Sequence, residues 1–113
     1  MEVEIRHRTF ATMIILEEDG KEMGHYSLYF DRKYDPIKVT SNMYSKEPGK
    51  GIPRTLVSEA AKYLKRLSIT EKKTFVHCVS IVGQESETKL PHLFEENGYE
   101  MKEKFCYEKK FFP

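Results

Sequence analysis

The stretch "SKEPGKGIPRTLVSEAAKYLKRL", Ser45 to Leu67, decides the fold. Its first half reads as a turn: Pro48-Gly49 punctuates the chain, and two glycines flank Lys50. Its second half reads as a helix. Pro53 suits the first helical turn, where its missing N–H costs no hydrogen bond. Leu56, Val57, Ala60, Leu64 and Leu67 recur on one face, with Glu59, Lys62 and Lys65 mostly opposite. Before the turn, "IKVTSNMY" (Ile37–Tyr44) has the composition of a strand. After the helix, "FVHCVSIV" (Phe75–Val82) is β-branched and reads as a buried strand. A strand, a helix and a strand in this order make a right-handed crossover between two parallel strands.

The rest of the chain is read outward from that unit. Phe10–Leu16 is apolar and strand-like, Asp19-Gly20 is a hairpin turn, and Met23–Phe30 returns as the partner strand. Gly24 inside it marks a bulge or a close backbone approach. Arg32–Pro36 is a loop, Ser68–Lys73 a connector and Gln84–Glu87 a polar loop. Thr88–Asn97 forms a second helix, closed by Gly98 at the position of a C-terminal glycine cap. Tyr99–Phe112 is one long strand or a tight hairpin. The predicted order is β-β-β-α-β-α-β: an α/β chain with helices packed on a mixed sheet. With no repeat, linker or low-complexity tract, residues 1–113 make a single domain.

Composition narrows the function classes. Mean hydropathy is −0.62 and 33% of residues are charged. The longest apolar run, Met13–Leu16, is too short to span a bilayer. The N-terminal "MEVEIRHRTF" alternates and carries charge, unlike a secretion signal. The 19 basic and 18 acidic residues leave a net charge of +1, which gives little pull toward nucleic acid or anionic lipid. "KEKFCYEKK" (Lys102–Lys110) reads as a solvated strand face rather than a nucleic-acid patch. Two cysteines, Cys78 and Cys106, are too few for a secreted disulfide scaffold, so a reducing, cytoplasmic setting is expected. No metal site is expected: there is no C-x-x-C or H-x-x-x-H, and His77 and Cys78 point to opposite faces of a strand.

Three readings compete for the turn at 48–54. A Walker-type phosphate loop fails, because Lys50 is followed by Gly51 and not by Ser or Thr. A dinucleotide fingerprint begins with Gly49-Lys50-Gly51 but meets Arg54 where its third glycine belongs. The third is a pyrophosphate turn. The amides of Gly49–Gly51 and the first helical N–H groups converge on an anion, with the helix dipole behind them. Lys50 and Arg54 can add charge. An ordinary βα turn, where glycine only makes the bend, remains the plain alternative.

The element order and "PGKGIPRTLV" together resemble the GNAT acetyltransferase superfamily, whose turn [QR]-x-x-G-x-[GA] binds coenzyme A pyrophosphate. The hairpin "EEDGKEMGHYSL" is similar to the family's second and third strands, and "LFEENGYE" (Leu93–Glu100) to its late segment "LYEKLGFE". The resemblance covers nearly the whole chain from Phe10 and implies a short member without the usual pair of N-terminal helices. It departs from the pattern at Pro48, where the family has Gln or Arg, and at Pro53, where it has Gly or Ala. Pro53 removes one amide, and it pushes Ile52 toward extended geometry.

The resemblance implies acetyl-CoA as cofactor, held by Met43, Tyr44 and Ser45 on the strand and by Gly49, Lys50, Gly51, Ile52, Pro53 and Arg54 in the turn. It implies acetyl transfer to an amine of a small molecule or a protein, with a backbone amide near Tyr44 serving the carbonyl. The family's thiolate-protonating tyrosine falls at Phe94, which has no proton to give, while Tyr99 matches an apolar position and reads as core. Cys78 is a candidate nucleophile, since some short members carry a cysteine on this strand. As a free thiol in an apolar strand it also reads as a small buried hydrophobe. Asn42 and Ser80 are candidates to hold a water that takes the amine proton, against the plainer role of satisfying nearby backbone. His77, His25 and His92 read as packed or surface residues. Two rival functions stand beside catalysis: a coenzyme A-binding module that no longer turns over, and a protein-interaction domain whose turn binds nothing.

Overall fold

The structure, a computed structural model, describes residues 1–46, 51–81 and 90–113. Its elements are β1 (Glu2–His7), β2 (Thr12–Glu18), β3 (Lys21–Asp31), β4 (Ile37–Ser45), α1 (Ile52–Glu71), β5 (Phe75–Ser80), α2 (Leu90–Glu96), β6 (Glu100–Glu103) and β7 (Cys106–Phe111). The strands form one sheet in the order β1-β2-β3-β4-β5-β7-β6. Every neighbouring pair is antiparallel except β4 and β5, which are parallel across the α1 crossover. The mixed sheet and the central crossover are as the sequence predicts.

Two strands exceed the predicted seven elements. β1 was expected only as a charged, alternating N-terminus. Its Val3 and Ile5 lie opposite Leu16 and Ile14 of β2, and Ile5 packs at the rim of the core. Its polar side joins Arg6 to Glu4 and Glu17, at 2.9 and 3.4 Å. β1 meets β2 through residues 8–11, with no helix between them. At the other end, Tyr99–Phe112 resolves as the hairpin β6–β7. Its turn at Lys104-Phe105 places Phe105 at φ 63°, a conformation unusual for a bulky residue.

Helix α1 runs four residues beyond the predicted Leu67. Ser68 is fully buried and its hydroxyl donates to the carbonyls of Lys65 (2.7 Å) and Phe112 (3.0 Å). Glu71 then anchors the last turn through two contacts from Arg32, at 2.7 and 3.1 Å. Lys72 ends the helix in the left-handed conformation, φ 56°. The predicted Gln84–Glu87 loop, with Val82 and Thr88, lies outside the described residues, and α2 is described from Leu90. Gly98 follows it at φ 84°, which only glycine adopts without strain.

α1 and α2 pack on one face of the sheet. The core between them joins Ile14, Leu16, Tyr26 and Leu28 to Val39, Leu56, Leu64, Phe75 and Phe94. Gly24 is the close approach its sequence suggested. A Cβ there would stand 2.7 Å from Ile52 Cγ2 and 2.7 Å from the Tyr44 carbonyl oxygen. The first turn of α1 therefore sits directly on β3. We expect Gly24→Ala to destabilise by about 1–3 kcal/mol, because a backbone oxygen cannot swing aside as a side-chain tip can. Gly20→Ala, where a Cβ meets nothing within 4 Å, should cost only its backbone strain at φ 77°. Equal losses in urea denaturation would refute this seating of the helix.

Candidate active site

Strands β4 and β5 pair over three rungs only: Ile37 with Phe75, Lys38 with Val76 and Val39 with His77. Beyond them the strands part. β4 continues to Ser45 paired with β3 alone, and β5 continues to Ser80 paired with β7 alone. The β5-facing edge of β4 past Val39 therefore presents backbone N–H and C=O groups with no strand partner among the described residues. Buried or half-buried backbone groups need partners, so this slot suits an extended ligand carrying amides.

The far end of β4 leads toward the start of α1. Gly51 sits at the N-cap at φ 68°, and it makes no side-chain cap. The first turn carries no acidic residue. Thr55 N–H and Thr55 Oγ1 both bond the Gly51 carbonyl, at 3.1 and 3.0 Å. Among the described residues no side chain accepts from the amides ahead of Thr55, and the positive end of the helix dipole stands behind them. Of the predicted turn, Pro48, Gly49 and Lys50 lie outside the described residues. Arg54 is not free for a phosphate: its guanidinium pairs with Glu96 of α2.

Asn42 and Ser80 lie on opposite strands of the opening, each three residues past the last rung, and both are exposed. By strand alternation they share the face away from the helices, together with Cys78. No hydrogen bond joins Asn42 to Ser80 among the described residues; the Ser80 hydroxyl lies 3.9 Å from Cys106 Sγ. Tyr44 is on the same face, 51% exposed and stacked on His25 at 5.5 Å. Met43 turns inward against the core, and Ser45 pairs with Gly24.

Cys78 is half-buried and unbonded to Cys106. Burial pushes its thiol up, the Glu108 carboxylate opposite adds to that, and Lys38 only partly offsets it. These surroundings disfavour a thiolate. Phe94 is 1% exposed, packed edge-on against Tyr99 at 5.2 Å. Among the described residues no group of three or more His, Cys, Asp or Glu is placed to hold a metal. No described helix is long and apolar enough to cross a membrane.

A polar chain absent from the sequence reading crosses the core where the strands part. Ser41 donates to the Tyr26 hydroxyl at 3.0 Å, and its Oγ lies 2.7 Å from His77 Nε2. Nδ1 of His77 lies 2.6 Å from the Tyr99 hydroxyl. With the Ser41 proton given to Tyr26, Nε2–H donates to Ser41 and Nδ1 accepts from Tyr99, so the imidazole is neutral. His77 is completely buried, and desolvation pushes its pKa down to about 3. Burial raises the Tyr26 and Tyr99 phenols. The serine–histidine bond ties β4 to β5 just as their backbone ladder ends. The signal for it lay in the alternation: His77 shares its face with Phe75 and Val79, so a buried polar side chain there needed partners.

No family model and no curated protein matches the sequence. Its fold does match solved structures. An acetyltransferase of the GNAT family from Streptococcus pneumoniae is 15% identical, with TM-score 0.58 over 90% of this chain and 66% of that one. A spermidine N-acetyltransferase chimera of SpeG from Vibrio cholerae and hSSAT is 16% identical, with TM-score 0.62 over 94% and 71%. The N-acetyltransferase PseH of Campylobacter jejuni, in complex with acetyl coenzyme A, is 18% identical, with TM-score 0.56 over 93% and 70%. The chain thus spans about two-thirds of the length of these proteins, and it has the fold of the GNAT acetyltransferases.

Proposed function

From this GNAT fold as premise, we propose that the chain is an acetyl-CoA-dependent N-acetyltransferase acting on an amine of a small molecule or a protein. The parting of β4 from β5 after three rungs carries the reading. The free edge of β4, at Met43, Tyr44 and Ser45, can hydrogen-bond the amides of a pantetheine arm. The uncapped start of α1, at Gly51, Ile52 and Arg54, can receive its phosphates through N–H groups. Pro53 supplies none, and Arg54 must leave Glu96 to add charge. Gly49 and Lys50 would complete the turn.

Bound there, acetyl-CoA supplies an activated thioester and a thiolate leaving group. The protein holds the amine near that thioester, and a backbone amide at Tyr44 steadies the carbonyl oxygen. Asn42 and Ser80, on the two strands that flank the slot, would hold a water that accepts the amine proton. Phe94 has no proton to donate, so the leaving thiolate would take its proton from water. A coenzyme A-binding module without turnover is the second reading, and the buried Phe94 favours it. Release of free coenzyme A thiol in the presence of amines separates the two.

The test of the site is Gly51→Glu, which puts a carboxylate where backbone must meet phosphate, on a residue with positive φ. Calorimetric titration with coenzyme A should show affinity reduced by roughly tenfold or more, with the fold intact. Unchanged affinity refutes the assignment.

The thiol route is tested at Cys78. Its raised pKa leads us to propose direct attack of the amine on the thioester. Cys78→Ala should then keep most activity and bind coenzyme A normally. Incubation with acetyl-CoA alone should give no hydroxylamine-labile acetyl adduct by mass spectrometry. An adduct that disappears in Cys78→Ala, but not in Cys106→Ala, would establish the nucleophile instead.

A further inference from the structure

At the opposite end of the sheet from the slot, an open groove of about 690 Å³ runs between α1 and the end of β7. Its walls are cationic: Lys62, Lys65 and Arg66 from α1, Lys109 and Lys110 from β7, with no Asp or Glu among the lining residues. Five of the chain's 19 basic residues thus line one groove in a protein of net charge +1; Lys109 is on the helix side of β7, while Lys110, paired with Val76, projects to the other side.

Two of the ammonium groups are fixed in place. Lys65 Nζ donates to the Phe112 carbonyl at 2.6 Å, and Lys109 Nζ to the Asn97 carbonyl at 2.6 Å. Each keeps further donors for a ligand. Lys62 meets Glu59 only at 3.5 Å, with 65% of its side chain exposed. Arg66 and Lys110 have no acidic partner among the described residues. The floor is apolar. Ala61 and Phe111 line it together with Phe112, a residue 57% exposed. Lysine stems extend this apolar surface beneath their charges.

We propose that this groove docks an acidic peptide segment of a protein partner, with carboxylates on the cationic walls and an apolar side chain on Phe112. A nucleic-acid backbone would match the cations but leave the apolar floor uncovered. A segment that mixes Glu or Asp with a large apolar residue matches both. The docking surface is independent of the coenzyme A site.

Fluorescence anisotropy on the full chain tests it, with a labelled peptide of roughly a dozen residues built from Glu and Leu. We expect saturable binding that weakens about tenfold or more in Lys62→Glu/Arg66→Glu. Phe112→Ser should weaken binding even in high salt, where surface charge is screened. Lys33→Glu/Lys38→Glu, an equal charge change elsewhere, should leave binding unchanged. Coenzyme A binding and melting temperature should be unaltered in the groove variants, which separates docking from folding. Three results overturn the proposal: no saturation, equal loss in the Lys33/Lys38 variant, or tighter binding of a single-stranded oligonucleotide that displaces the peptide.

Discussion

Acidification from pH 7 to pH 4 is expected to cost the fold about 3 kcal/mol through His77 alone. In the unfolded chain this imidazole takes a proton near its ordinary value of 6.5, whereas in the folded protein burial delays that to about 3. The unfolded state therefore binds the extra proton between those two values. The contribution is complete above pH 6.5 and is lost as pH falls toward 3, at about 1.4 kcal/mol per unit. Protonation would also break the acceptance of the Tyr99 hydrogen by Nδ1. Urea unfolding at several pH values should show this slope in the wild type. In His77→Gln, destabilised at neutral pH but without the imidazole, the slope between pH 6 and 4 should flatten. The same slope in both proteins would assign the acid loss to other groups. The Arg32-bound Glu71, whose carboxyl is lowered by that contact, adds only weakly, since it is largely solvated and titrates lower.

Leu56→Ala or Leu64→Ala should destabilise by about 2–5 kcal/mol, whereas Lys62→Ala should be near neutral. Both leucines are fully buried beneath α1. Leu56 reaches the space over Gly24, where its Cδ1 would stand 3.4 Å from a Cβ. The cavity left by truncation lies between helix and sheet, where neighbours on two rigid elements cannot collapse into it. Lys62 has most of its side chain in water. Chemical denaturation distinguishes the two faces directly. Comparable losses at Leu56 and Lys62 would mean that the buried face is not the one described.

The helix and the four central strands were readable because each has a period that matches one buried face. The alternation Ile37, Val39 and the spacing Leu56, Ala60, Leu64 leave few other arrangements. β1 escaped because only Ile5 packs against the core while Val3 stays 42% exposed, and so weak an apolar signal in a charged stretch is indistinguishable from a tail. The extension of α1 past Leu67 escaped because Ser68 belongs to the helix through tertiary bonds to Phe112, which no local pattern reveals. At the candidate site, the crossover that the sequence announced brings the end of β4 to the start of α1, but the parting of β4 from β5 after three rungs is written in neither strand's pattern. The Tyr26–Ser41–His77–Tyr99 chain is not legible there either, because its members come from four separate segments. Arg54 likewise reads as a phosphate ligand until Glu96, distant in sequence, is seen to occupy it.

The three rungs between Ile37–Val39 and Phe75–His77 also divide the sheet mechanically. β1 to β4 form one wing, and β5, β7 and β6 form the other. Each wing is laced internally along nearly its full strands, while the seam between them is short and lies at one end. Such a seam behaves as a hinge line: small rotations of the wings open or narrow the far end while breaking no ladder bond within either. Helix α1, resting on β3 at Gly24 and bonded through Lys65 and Ser68 to Phe112 just past β7, straddles the seam as a brace. A molecule lodged between the wings would clamp them from the open side, so it would stiffen the protein as a whole and not merely fill a space in it.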